Sequence, residues 1–360
     1  MTTDCVGGVW QYAVELTRQL DRLGHDVVLA SMGGTLTEAH RCEVRGLRRA
    51  VLHESQLRLE WMSDAWEDVE TAGEWLDALL QEHDCELLHF NCFGPAARPW
   101  SVPTLLVLHS CVDSWWRATH GTEPGEEWDA YHECVAHALD YSSHVAAPTL
   151  AALADMIACY PEAAFRARAS VVYNGIETND WPVGLSTTRN FVLGAGRVWD
   201  EGKNLAALMH AADDLPCPVL IAGACAGERA GESKAIMLKH VARARLASYY
   251  RRALVFAHPA HYEPCGLAVL EAALSGCALV LGDIPTLREL WGPVAAFVDP
   301  DDTAALREAL ARLAAAPEQA AEMGRRARRH ALRYSGRTMA LSYLSIYESL
   351  LSHPRRQGAA

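Results

Sequence analysis

The sequence predicts an α/β chain built as two doubly wound domains facing each other, and three observations carry that expectation. At 360 residues, half of them apolar, the chain exceeds the roughly 250–300 residues at which a single core stops growing. Short apolar or β-branched runs alternate with longer segments of helical period, the pattern of parallel sheets covered on both faces. The alternation pauses at ETNDWPVGLSTTRN (177–190), where Pro, Gly, Ser, Thr and Asn gather without period.

In the first half, DVVLAS (26–31), LLHFN (87–91), TLLVLHS (104–110), HVAAPT (144–149) and ASVVYNG (169–175) read as buried strands. GGVWQYAVELTRQLDRLG (7–24) and EEWDAYHECVAHALD (126–140) have the spacing of amphipathic helices. Only MTTDCV precedes the Gly7-Gly8 turn. That is too short for a strand of about five residues plus its loop, so the first strand, normally central, is expected to be truncated. The second half offers FVLGAGR (191–197), CPVLIAG (217–223), ALVFAHPA (253–260), CALVLGD (277–283) and AAFVDP (295–300) as strands. Helical patterns over 302–314, 318–334 and 337–351 close the chain, and the tail SHPRRQGAA (352–360) has the composition of a frayed end. The domains are expected at 1–178 and 179–335, with 336–360 as a closing helix and tail.

Composition removes several classes of function. A net charge of −13, from 45 acidic and 32 basic residues, argues against nucleic acid and against an anionic bilayer as partners. No apolar run approaches the roughly 20 residues of a membrane span, and the first residues lack the regions of a signal peptide. The expected setting is soluble and cytoplasmic. Eleven cysteines, odd in number and without a CxxC pair, read as reduced core residues and not as disulfides or metal ligands.

Ligands of open parallel sheets bind at the carboxyl ends of strands, so residues at those ends carry most weight. They include Gly7-Gly8, Asn91, His109-Ser110, Asn174-Gly175, Arg197, Glu263 and Asp283. Gly7 and Gly8 serve a turn's backbone geometry as readily as they let a phosphate or sugar approach helix N–H groups. In GRVWDEGKN (196–204), Arg197 leaves a strand and Lys203 stands before a helix. Two cations there suit an anion such as a diphosphate, a reading favoured over an ion pair of Arg197 with Asp200 or Glu201. A helix starting near Gly266 would leave the N–H groups of Gly266, Leu267 and Ala268 unpaired at the positive end of its dipole. Glu263 and Glu271 border that helix start and suit sugar hydroxyls. A glycosidase pair would need a separation of roughly 5–9 Å, and the neighbouring Arg197 and Lys203 favour an anionic leaving group. Trp115-Trp116 could stack on an acceptor ring, although core packing is the commoner role for Trp. His89, inside a strand, reads as a satisfied core histidine.

HYEPCGLAVLEAALSGCALVLGDIPTLREL (261–290) resembles the E-x7-E donor loop and following strand of family 4 retaining glycosyltransferases, which have the GT-B fold of two facing Rossmann-like domains. GGVWQYAVELTRQLDRLGHDVVLAS, VLHS, VVYNGIE and GRVWDEGKN resemble the other family motifs in the same order. The resemblance implies that Arg197 and Lys203 bind the diphosphate of a nucleotide-sugar and that Glu271 binds its ribose. It gives Glu263 and the amides after Pro264 (Cys265, Gly266, Leu267, Ala268) to the transferred sugar. It places His109 near that sugar, with Gly7, Gly8 and Asn174 among the donor contacts, and a C-terminal helix crossing back to the first domain. It further implies a metal-independent transfer with retention, in which the departing phosphate oxygen is the base, no resident cofactor, and an acceptor hydroxyl on a small molecule, saccharide or lipid-linked compound. Three features depart from the family pattern: Cys265 stands where an aromatic residue is usual, Asn204 where glycine is, and the first strand is short. A non-catalytic nucleotide-sugar binder and a GT-B sugar epimerase are the competing expectations.

Overall fold

The computed structural model describes residues 1–5, 7–181, 189–223, 233–239 and 241–352. The expected tail from His353 and part of the expected boundary, 182–188, lie outside the described residues. The chain forms two compact units. One comprises Met1–Arg117, Thr122–Ile176 and the chain from Ser335; the other comprises Ala118–Gly121 and Glu177–Tyr334.

Among the described residues the first unit holds seven strands: β1 (Thr2–Asp4), β2 (Val27–Met32), β3 (Ala50–Glu54), β4 (Leu88–Phe90), β5 (Thr104–Val107), β6 (His144–Ala147) and β7 (Ala169–Val171). They form two parallel ladders, β1-β2-β3 and β4-β5-β6-β7. Asn91, just past β4, joins the ladders: its N–H donates to Thr2 Oγ1 (2.8 Å) and its Nδ2 to the Thr2 carbonyl (2.7 Å). The strand order therefore reverses between β1 and β4, as at the switch point of a doubly wound sheet.

The first strand has three residues, Thr2–Asp4. Thr2–Asp4 is fully buried and pairs in register with Ala30–Met32. Met1 lengthens the ladder, donating its amino group to Val28 O (2.7 Å) and accepting from Ala30 N (2.9 Å). β1 is held by backbone bonds on one side and by Asn91 on the other.

The helix Gly8–Leu23 buries Tyr12, Ala13, Leu16 and Leu20 and ends at Gly24, whose φ of 90° supplies the left-handed cap. The closing helix Gly336–Ser352 belongs to this unit and packs against it. A Cβ at Gly336 would stand 2.1 Å from Glu15 Oε1, so a larger residue there would have to displace the Glu15 carboxylate.

The second unit contains β8 (Val192–Ala195), β9 (Val219–Ala222), β10 (Ile236–Lys239), β11 (Val255–His258), β12 (Ala278–Gly282) and β13 (Ala296–Val298). All pair in parallel in the order β10-β9-β8-β11-β12-β13, which reverses between β8 and β11. Val192, Leu208, Val255, Val280 and Leu310 form the centre of its core at 0% exposure, each such side chain contributing about 1.5–3 kcal/mol by burial. β3 and β10 had no counterpart in the expected strands; both lie at sheet edges with exposed residues, Val51 at 47% and Ile236 at 50%. Among the described residues no helix is long and apolar enough to cross a membrane.

Candidate functional site

Arg197 follows β8 and Glu263 follows β11, the two strands that flank the reversal of order in the second unit. The segment between β8 and its helix is docked on the loop after β11 by backbone bonds from His261 N and Tyr262 N to Gly202 O, both 3.0 Å. Asn204 explains its own departure from the family pattern. It adopts the left-handed conformation (φ 49°) that would otherwise call for glycine, and its Nδ2 donates to Pro259 O (2.9 Å) and Pro300 O (2.8 Å). One side chain thus ties the Lys203 turn to the ends of β11 and β13.

This docking brings Lys203 to Glu263, with Nζ 2.9 Å from Oε2. The same oxygen accepts from Nε2 of His258, also at 2.9 Å. The backbone carbonyl of Glu263 is fixed by Thr286 Oγ1 at 2.6 Å. Oε1 has no donor among the described residues, which leaves one carboxylate oxygen for a ligand. Burial raises the Glu263 pKa, but Lys203 and His258 outweigh it and hold the carboxyl well below its usual range. Glu263 is therefore ionised at any working pH and cannot serve as a general acid.

The helix Leu267–Leu274 begins three residues after Pro264. Gly266 is its N-cap at φ 80° and supplies no side-chain cap. Any Cβ there would meet Glu263 Cγ at 3.2 Å. The N–H groups of Gly266, Leu267 and Ala268 have no acceptor among the described residues, so the positive end of the helix is open beside Glu263. Cys265 is half-buried in this turn.

Glu271, one turn further, belongs to different surroundings. It is 3% exposed, 3.7 Å from Arg243 Nε, and its Oε1 lacks a hydrogen bond. Burial pushes its pKa up to about 7, with Arg243 offsetting part of the rise.

Arg197 corrects the sequence expectation that it would not pair with its neighbours. Its guanidinium grips Asp200 Oδ2 through Nη2 (2.6 Å) and Nε (3.2 Å) and lies over the Trp199 ring at 5.3 Å. The cause is local: Asp200 Oδ1 caps Gly202 N (3.0 Å), which fixes the carboxylate within reach of a residue three positions earlier.

The remaining expected contacts lie in the first unit. Gly7 caps the helix Gly8–Leu23 with φ 96° and no side-chain bond; Val6 before it lies outside the described residues. His109 Nε2 is 2.7 Å from Asn91 Oδ1. Because Asn91 Nδ2 is committed to Thr2 O, Oδ1 must accept, so His109 carries its proton on Nε2. Burial lowers its pKa to about 3, so the ring is neutral and offers Nδ1 as an acceptor. Asn174 is buried with Oδ1 unpaired. Trp115 and Trp116 are half-buried and meet edge to face at 5.9 Å. His89 is a satisfied core histidine, bonded to Tyr347 (2.6 Å) and to Asn91 and Tyr12 (both 3.3 Å).

Sequence reasoning missed His258. The available signal was a histidine closing an otherwise apolar strand, five residues before Glu263. Among the described residues no group of three or more His, Cys, Asp or Glu side chains could hold a metal ion.

Two family models match the chain: "Glycosyltransferase Family 4" over residues 6–180 and "Glycosyl transferases group 1" over 175–330. D-inositol 3-phosphate glycosyltransferase of Saccharomonospora viridis is 38% identical over 112 residues, which is 30% of this chain and 25% of that protein. Glycogen synthase of Mycobacterium tuberculosis is 24% identical over an alignment of 400 residues, covering 95% of this chain and 91% of that one. The structure of Anabaena HepE in complex with UDP-glucose superposes with a TM-score of 0.73 at 16% identity, covering 97% of this chain and 100% of that chain. By the two family models, which between them take in residues 6–330, and by its architecture, the chain belongs to the glycosyltransferases of the GT-B fold.

Proposed function

We propose that the second unit binds a nucleotide-diphosphate sugar and that the protein transfers the sugar to an acceptor hydroxyl with retention of configuration and without a metal ion. The observation that carries this reading is the cluster at the β8/β11 reversal: Lys203, the open amides of Gly266, Leu267 and Ala268, and a Glu263 carboxylate with one oxygen unengaged. Cations and helix amides aimed at one point stabilise the charge that develops on a departing diphosphate. In this reading Lys203 and Arg197 exchange their carboxylate partners for phosphate oxygens, and Glu263 Oε1 accepts from a sugar hydroxyl. Glu271, buried with an unpaired oxygen, takes the ribose. With His258 kept on Oε2 and a sugar hydroxyl on Oε1, the Glu263 carboxylate has both oxygens engaged and is a poor nucleophile. This supports same-face attack with the departing phosphate oxygen as base. HepE, bound to UDP-glucose, supports a nucleotide-sugar as the ligand class. The donor roles given to His109, Gly7, Gly8, Asn174 and Cys265 rest on the family resemblance.

A thermal-shift screen against UDP-, GDP- and ADP-glucose should find one donor that raises the melting temperature by mass action. Transfer from that donor should persist in EDTA and give product of the donor's anomeric configuration by NMR. Lys203→Ala should lose at least about 100-fold in turnover with its circular dichroism intact. Wild-type turnover in Lys203→Ala would sink the reading, and donor binding without transfer to any acceptor would make the protein a nucleotide-sugar binder.

A further inference from the structure

His258 occupies the last position of β11, where the three preceding residues, Val255, Phe256 and Ala257, are all wholly buried and apolar. It is 1% exposed. Its Nε2 donates to Glu263 Oε2 at 2.9 Å, while its Nδ1 is buried without a hydrogen-bond partner. An apolar side chain would fill this strand position and leave no buried nitrogen unpaired. The imidazole's one polar return is the bond to Glu263.

That bond matters because of the other donor on the same oxygen. Lys203 Nζ reaches Oε2 from the turn after β8, on a long side chain with three rotatable donors. His258 reaches it from a strand, on a short ring locked by burial and lying parallel to Phe256 (centroids 6.2 Å apart, 16° between planes). One donor can leave and the other cannot.

We propose that His258 is the positioning residue for Glu263: it fixes the direction in which Oε1 points, so that the carboxylate keeps its place when Lys203 turns to a phosphate. This inference rests on the donor-site reading above and adds to it a residue that touches neither diphosphate nor sugar.

The test compares His258→Leu and His258→Gln with the wild type by calorimetry. The ligands are a nucleoside diphosphate and its glucose conjugate, taken as whichever of the UDP, GDP and ADP pairs the wild type binds tightest. Glu263 is assigned to the sugar, so His258→Leu should weaken the glucose conjugate about 10-fold or more and change the bare diphosphate by less than about 2-fold. His258→Gln, whose amide can donate from near the Nε2 position, should recover most of the loss. His258→Leu binding both ligands as the wild type does would overturn the inference. Equal weakening of both ligands, or no rescue by Gln, would show a packing role and overturn it as well. A wild type that binds none of the three pairs would remove the donor reading itself, and this inference with it.

Discussion

Glu263 and Glu271 stand near the start of one helix, yet their surroundings drive their charges apart. Burial acts on both, but Glu263 has Lys203 and His258 on one oxygen, whereas Glu271 has Arg243 at 3.7 Å and the Tyr250 hydroxyl, which offset its burial only in part. The consequence for stability can be signed. With the Glu271 pKa raised from 4.5 to about 7, the folded protein keeps a proton that the unfolded chain has released across that interval. The stabilisation is present below pH 4.5 and is lost as pH rises through about 7, a swing on the order of 3 kcal/mol. Glu271→Gln should therefore match the wild type in urea unfolding at pH 4.5 and exceed it by up to that amount at pH 8. A difference independent of pH would contradict the assignment. Both carboxylates were legible in the sequence because they border a glycine-capped helix start. Their opposite states were not, because His258, Arg243 and Thr286 arrive from separate elements and no spacing announces them. Arg197 shows the same limit, its pairing with Asp200 being decided by the side chain that caps Gly202.

At the scale of elements, the turn before Leu205 is the joint that sets the site. Asn204 holds a left-handed backbone and bonds two carbonyls. Asn204→Ala should lose the bonds and strain the backbone, costing about 2–3 kcal/mol. Asn204→Gly loses only the bonds and should cost about 1 kcal/mol less, as urea unfolding of the two variants would measure. Equal losses would mean that the conformation contributes nothing. A second joint lies at Gly175, where a Cβ would stand 2.2 Å from the Ser335 carbonyl. Gly175→Ala should destabilise the first unit by about 2–3 kcal/mol, read as a lower melting temperature; an unchanged one would refute the packing argument. Strands with wholly buried runs, such as Val255–His258 and Ala278–Gly282, were readable as strands because burial on both faces leaves a continuous apolar stretch. β3 and β10 escaped because each is an edge strand with two exposed residues, Val51 and Glu54 in one and Ile236 and Lys239 in the other, and β1 because its partners, not its length, make it a strand.

At the scale of the molecule, the second unit, apart from Ala118–Gly121, is one continuous insertion in the first. The chain leaves after Ile176 and returns at Ser335, and these two residues bridge each other, with Gly336 N bonded to Ile176 O at 2.9 Å. The second sheet has its own core, so residues 177–334 expressed alone should unfold cooperatively and bind the nucleoside diphosphate within about 3-fold of the full chain. A molten or non-binding fragment would show that the unit depends on the rest. The paired crossings also bear on descent. A recombination event spanning codons 177 to 334 begins and ends beside two residues that bridge each other, Ile176 and Ser335. On the donor-site reading proposed above, such an exchange would trade one ligand preference for another while Ile176 and Ser335 keep their bridge.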